Sequence, residues 1–139
     1  MNSPVFLDSS CFIYLLENNP NYSDITQQIF SNISQSKLQA KTSLITVTEV
    51  LTKPYKENDQ KYIKEYQQIF SEMQNLEILS PSFQTSINAA KIRARYNLNL
   101  PDSYQLQMAI DSSCKTFLTN DVHLKKVREI KIVVLKDLI

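Results

Sequence analysis

Residues 5–17 read VFLDSSCFIYLLE. Three apolar residues, Val5 to Leu7, run straight into Asp8; two serines and a cysteine follow, then a second apolar run from Phe12 to Leu16. The first run has the length of a short buried strand, and Cys11 to Glu17 reads as a helix. A carboxylate therefore stands at the junction between them. It has two readings: a cap for the helix, or a functional group at the carboxyl end of a strand.

The same alternation continues along the chain. Tyr22, Ile25, Ile29 and Ile33 recur at helical spacing and predict a helix over Tyr22 to Ser34. Lys41 to Ile45 reads as a strand, and Val47 to Thr52 as a short helix stopped by Pro54. Tyr62, Tyr66, Ile69, Phe70 and Met73 mark an amphipathic helix, and Leu76 to Leu79 a strand closed by Pro81. Phe83, Ile87, Ala90 and Ala94 mark another helix, and Pro101 suits the first turn of one that runs through Ile110. Thr116 to Thr119 is strand-like, His123 to Arg128 helical, and Ile132 to Leu135 a last strand. Strands alternating with helices predict one α/β domain over residues 1–139, with a mostly parallel central sheet flanked by helices.

Composition removes several functions. The chain has no glycine, which excludes a P-loop and a dinucleotide fingerprint, both of which bring backbone close to phosphates. His123 is the only histidine, so two-histidine acid-base chemistry and multi-histidine zinc sites are out. Cys11 and Cys114 sit in apolar segments and read as buried free thiols of a reducing, cytoplasmic compartment. There is no membrane span, and the N-terminus has neither a basic lead nor a small-residue cleavage site. Net charge is +1; Lys91, Arg93 and Arg95, and Lys125, Lys126 and Arg128, form local basic clusters that read first as solvated helix faces.

Carboxylates are left to carry any chemistry. Of the 14 acidic residues, four hold equivalent topological places. Asp8 follows the first strand, Glu49 lies one turn past the second in SLITVTEVL (43–51), Asp102 opens the helix LPDSYQLQMAI (100–110), and Asp121 follows the strand in TFLTND (116–121). Each also has a bland explanation: Asp8 as a cap, Thr46 and Glu49 as a capping box, Asp102 at the positive end of a helix dipole, Asp121 in a turn. Independent caps need not converge, yet this topology directs all four toward one crevice. Two unit charges ~4 Å apart repel by about 4 kcal/mol at an effective dielectric near 20, so a cluster requires protons or cations. All-oxygen ligands suit Mg²⁺ or Mn²⁺.

These four pieces, FLDSS, TVTEVL, LPDSYQLQMAI and FLTNDVHLKKV, resemble those of a PIN domain over nearly the whole chain, and the size resembles the VapC-type toxin ribonucleases. The resemblance implies a three-layer fold and metal-ligating catalytic carboxylates at Asp8, Glu49, Asp102 and Asp121. It implies hydrolysis of RNA by water attack, leaving 5′-phosphate and 3′-hydroxyl ends, an antitoxin partner and a homodimer. Ser103 stands where many relatives carry alanine, and QLQMAI carries glutamine and methionine where small residues or histidine are frequent; these departures alter packing near the site more than its chemistry.

Ser10 is positioned to bond a carboxylate or a metal water, or to cap the helix; Thr119 and Asn120 are placed to hold Asp121 or substrate, or to serve a turn. Tyr14 and Tyr104 read as core. Two rival chemistries lack a residue: an aspartyl phosphatase needs a second acid where Ser10 stands, and a receiver domain needs an acceptor Asp where EILSPS offers Ser80 and Pro81. The alternative from another class is a catalytically inactive PIN-like module that binds nucleic acid or protein.

Overall fold

In the computed structural model, which describes residues 3–139, five strands alternate with six helices: β1 (Val5–Leu7), α1 (Ser9–Leu16), α2 (Ser23–Ser34), β2 (Ala40–Ser43), α3 (Leu44–Lys56), α4 (Gln60–Glu72), β3 (Leu76–Leu79), α5 (Phe83–Tyr96), α6 (Leu100–Asp111), β4 (Thr116–Thr119) and β5 (Lys131–Val134). Short 3-10 segments, Val122–Lys126 and Leu135–Leu138, flank β5. The strand order is β3-β2-β1-β4-β5, and every pairing is parallel. The chain thus builds outward from β1 to β3, then returns to place β4 on the other side of β1. The switch point lies between β1 and β4, where open α/β sheets form their crevice.

Strands buried on both faces read as continuous apolar runs rather than alternating ones, which is why VFL alone announces β1. Phe6 and Phe117 are register partners and stack with ring centroids 5.1 Å apart. They face a core built with Ile92, Leu106 and Leu124. Leu7 and Leu118, their neighbours in sequence, point into the opposite core with Phe12, Phe30, Ile33, Val50 and Tyr66. Each fully buried side chain of this size contributes about 1.5–3 kcal/mol. The outcome is three layers, with α1–α4 contributing to one core and α5–α6 to the other.

Three expectations are corrected. Pro54 does not stop α3: it sits buried in the last turn, and the helix ends at Lys56. A proline there forfeits one hydrogen bond and crowds one carbonyl, while the Glu57 N–H still reaches Lys53 O and the Asp59 N–H reaches Pro54 O. Strand β2 ends at Ser43, not Ile45, because Ser43 caps α3. The segment after β4 is a 3-10 turn ending at Lys126 rather than a helix to Arg128. Without glycine, left-handed backbone positions fall to Asn18, Ser36, Asn58, Asn75, Asn97 and Ser113, with Asn97 closing α5 at φ 54°. Cys11 and Cys114 are buried free thiols. No helix among the described residues is long and apolar enough to cross a membrane.

Candidate active site

Asp8 is the first residue past β1, and Asp121 the second past β4, so the two stand on either side of the switch point. Asp102 lies in the first turn of α6, whose start is set by Asn99: its Oδ1 accepts the Asp102 N–H at 2.8 Å, and Pro101 occupies the first turn. Glu49 lies in the second turn of α3.

Three of the bland readings hold. Asp102 does lie at the positive N-terminal end of α6. Asp8 caps α1, its Oδ1 accepting both the Ser10 N–H at 3.0 Å and the Ser10 hydroxyl at 2.5 Å. Asp121 caps the 3-10 segment by accepting the His123 N–H at 2.9 Å. For Glu49 the bland reading fails. Ser43, not Thr46, caps α3, its Oγ accepting the Ile45 N–H at 3.1 Å. Thr46 and Glu49 therefore form no capping box, and helix capping does not account for Glu49.

Electrostatics joins these residues. Burial pushes the Asp8 carboxyl up from 3.8 to about 6; the hydroxyls of Ser10 and Thr119 and the Ser10 N–H oppose the rise, and the charge of Asp102 adds to it. Burial also raises Glu49, opposed by the Ser9 hydroxyl and reinforced by Asp102. Asp102 is raised by burial and by the charge of Asp121, against the bond from Asn99. Asp102 is thus the common member: its charge acts on Asp8 and Glu49, and it feels Asp121.

The four acids do not share one ligand shell. Among the described residues, no three His, Cys, Asp or Glu side chains close on a point tightly enough to hold an ion unaided. The donor chemistry still fits a hard divalent cation. Mg²⁺ keeps several waters and is commonly held through one or two carboxylates, so spaced acids acting partly through water suit it.

The supporting residues divide. Ser10 holds Asp8, and buried Thr119 serves two acids, favouring charged Asp8 and accepting the Asp121 N–H at 3.1 Å. Asn120 turns elsewhere: its amide donates to the Tyr14 hydroxyl at 3.0 Å and its Oδ1 accepts the Lys136 N–H at 3.2 Å, tying α1 to the C-terminal segment. Ser9 and Asn99 were not expected at the site. Their signals were present, in the serine directly after Asp8 and in the cap-proline-acid order of Asn99, Pro101 and Asp102. Tyr14 stacks on Tyr22 at 4.8 Å, and the Tyr104 hydroxyl bonds that of Ser86 at 2.9 Å. In the basic clusters Arg95 pairs with Glu129, 2.5 Å apart. Lys125 pairs with Asp137 at 2.6 Å.

A parallel five-stranded sheet, with Asp8 and Asp121 following the two strands at its switch point, defines an α/β domain. The chain belongs to the PIN domain family, whose sequence profile matches residues 5–130. Among solved structures it is similar to a toxin-antitoxin complex from Klebsiella pneumoniae, with TM-score 0.72, 20% identity, and coverage of 96% of this chain and 98% of that one. It is also similar to VapBC2 from Rickettsia felis bound to a promoter DNA fragment, with TM-score 0.69, 16% identity, and coverage of 94% and 97%. DNA-bound VapBC from Salmonella typhimurium gives TM-score 0.68, 20% identity, and coverage of 97% and 99%. At these identities the likeness is one of fold. No curated protein sequence is similar enough to count as a relative.

Proposed function

We propose that this chain is an endoribonuclease that uses Mg²⁺ or Mn²⁺, and that it is the toxin of a toxin-antitoxin pair. The observation that carries the reading is the coupling of Asp8, Glu49 and Asp102. They come from three separate elements, all are displaced toward the protonated form, and the charge of Asp102 acts on both others. Burial is the main cause of each rise and the neighbouring charges add to it, and a bound divalent cation would offset both.

In this reading Asp8, Glu49, Asp102 and Asp121 hold the ion, directly or through its waters. The bound ion supplies an activated water and neutralises charge on the phosphate and the leaving oxygen. The chain's own residues supply the placement. Ser10 and Thr119 orient Asp8, Ser9 engages Glu49, and Asn99 fixes the start of α6 and hence Asp102. The solved relatives include complexes of toxin with antitoxin, which supports an antitoxin as the partner. RNA as substrate and a homodimer follow from the family resemblance. The two buried free thiols suit a reducing, cytoplasmic setting.

Purified protein free of any antitoxin, incubated with RNA and Mg²⁺ or Mn²⁺, should cut it to 5′-phosphate ends, and EDTA should stop the reaction. Cleavage that continues in chelator, or survives each single carboxylate substitution, contradicts the metal mechanism. RNA binding without cleavage would establish the inactive binding module instead.

A further inference from the structure

Asp102 and Glu49 stand on different helices, so their relative placement depends on what joins α6 to α3. Helix α6 carries a buried amide in its interior: Gln105 is 2% exposed. Both ends of that amide are engaged. Its Oε1 accepts the Ser43 hydroxyl, and its Nε2 donates to Thr46 Oγ1 at 2.7 Å. Ser43 and Thr46 are themselves fully buried, at 0% exposure.

The placement is specific. Gln105 follows Asp102 by three residues, so the two lie on one face of α6, one turn apart. Thr46 precedes Glu49 by three residues and shares its face of α3 in the same way. The amide therefore clips the two helices together one turn away from the two acids. Ser43 is both the last residue of β2 and the cap of α3, so the clip is referenced to the sheet as well. Packing alone does not call for glutamine here, since a leucine would fill a similar volume with no polar group to satisfy. A paired amide does what a leucine cannot: it fixes rotation and register between the helices.

We infer that Gln105 is a positioning residue of the acidic site, a buried bracket through Thr46 and Ser43 that sets Asp102 against Glu49. The inference rests on the reading of these carboxylates as the metal-holding site.

The test uses the full chain and the variants Gln105→Leu, Thr46→Val, Thr46→Ser and the double Gln105→Leu/Thr46→Val. Three quantities are measured: Mn²⁺ affinity by calorimetry, RNA cleavage kinetics with Mn²⁺, and thermal melting. Gln105→Leu and Thr46→Val should each weaken Mn²⁺ binding and kcat about tenfold, with KM for RNA changed less than about twofold, as for other outer supports of metal sites. Thr46→Ser keeps the hydroxyl and should retain wild-type values. The double variant should be no worse than Gln105→Leu, which already removes the Thr46 bond together with the one from Ser43. Lower melting with unchanged Mn²⁺ affinity and kcat would reduce the bracket to a structural role and overturn the inference, as would strictly additive losses. If Gln105→Leu does not fold, the contrast between Thr46→Val and Thr46→Ser decides alone. Wild-type protein that neither binds Mn²⁺ nor cuts RNA overturns the nuclease reading and this role with it. Active wild type with indistinguishable variants overturns only the bracket.

Discussion

Asp8→Asn separates a site residue from a cap more sharply than any other single change. Asparagine caps helices as well as aspartate, and its Oδ1 can still accept the Ser10 N–H and hydroxyl that Asp8 accepts. What the substitution removes is the charge. In the folded protein the carboxyl titrates at about 6 rather than 3.8, chiefly because it is buried. Below pH 4 folded and unfolded chains both hold the proton, and Asp8 costs nothing. Between pH 4 and 6 the unfolded chain loses its proton first, so stability falls as pH rises. Above pH 6 the loss is complete, and at 1.36 kcal/mol per pH unit it amounts to about 3 kcal/mol. Without divalent metal, Asp8→Asn should therefore be more stable than wild type at pH 7.5, by ~1–3 kcal/mol once residual denatured-state effects are allowed for. At ~2–8 °C per kcal/mol this is a readable rise in Tm. The gain should shrink toward zero by pH 4. Melts of both proteins in EDTA from pH 4 to 8 make the measurement. A variant less stable than wild type, or a difference independent of pH, would refute the reasoning and leave Asp8 as a cap.

Other expectations follow from single observations. Glu49→Gln should melt no lower than wild type in EDTA, because Glu49 caps nothing, yet should abolish RNA cleavage; a lower Tm would revive the capping box. Saturating Mg²⁺ should raise wild-type stability, by about 2.7 kcal/mol at 100 times its Kd, and Asp102→Asn should blunt that response in the same melts. The Tyr66 hydroxyl is the one buried side-chain polar atom without a hydrogen-bond partner among the described residues, and burial and the nearby Glu17 charge raise its pKa. Tyr66→Phe should leave stability unchanged or raise it by ~1 kcal/mol; urea unfolding that shows a loss would contradict this.

Two strands, Leu76–Leu79 and Thr116–Thr119, are bounded as expected; the second is buried within the sheet, whereas the first is a half-buried edge strand delimited by Pro81. Helix ends were less legible, because caps are chosen by competition. Ser43 and Thr46 are both good caps, and the one at the strand's end took the role, which left Glu49 unexplained by local structure. Phe83 fits the helical spacing of α5 yet is 83% exposed, since it sits in the first turn just after the Ser82 cap. Helix α6 shows the largest gap. Its residues Ser103, Gln105, Leu106, Gln107, Met108 and Ala109 are all buried, so three polar side chains lie inside the protein where the helical period gives no sign of it. The reading that QLQMAI alters packing near the site more than its chemistry did not include the hydrogen bonds of Gln105 across to Ser43 and Thr46. Only the tertiary fold supplies those partners. Asp8 and Asp121 do follow strands and Asp102 does open a helix, as topology suggested, while Glu49 lies in the second turn of α3.

Whether those acids form one metal site is tested most directly by locating Mn²⁺ in crystals of the wild-type protein through its anomalous scattering. The account predicts a peak in the crevice at the β1–β4 switch point, bound to Asp8 or Asp102 and joined to Glu49 and Asp121 directly or through waters. No peak there at saturating Mn²⁺, or a peak only at other carboxylates, would contradict it.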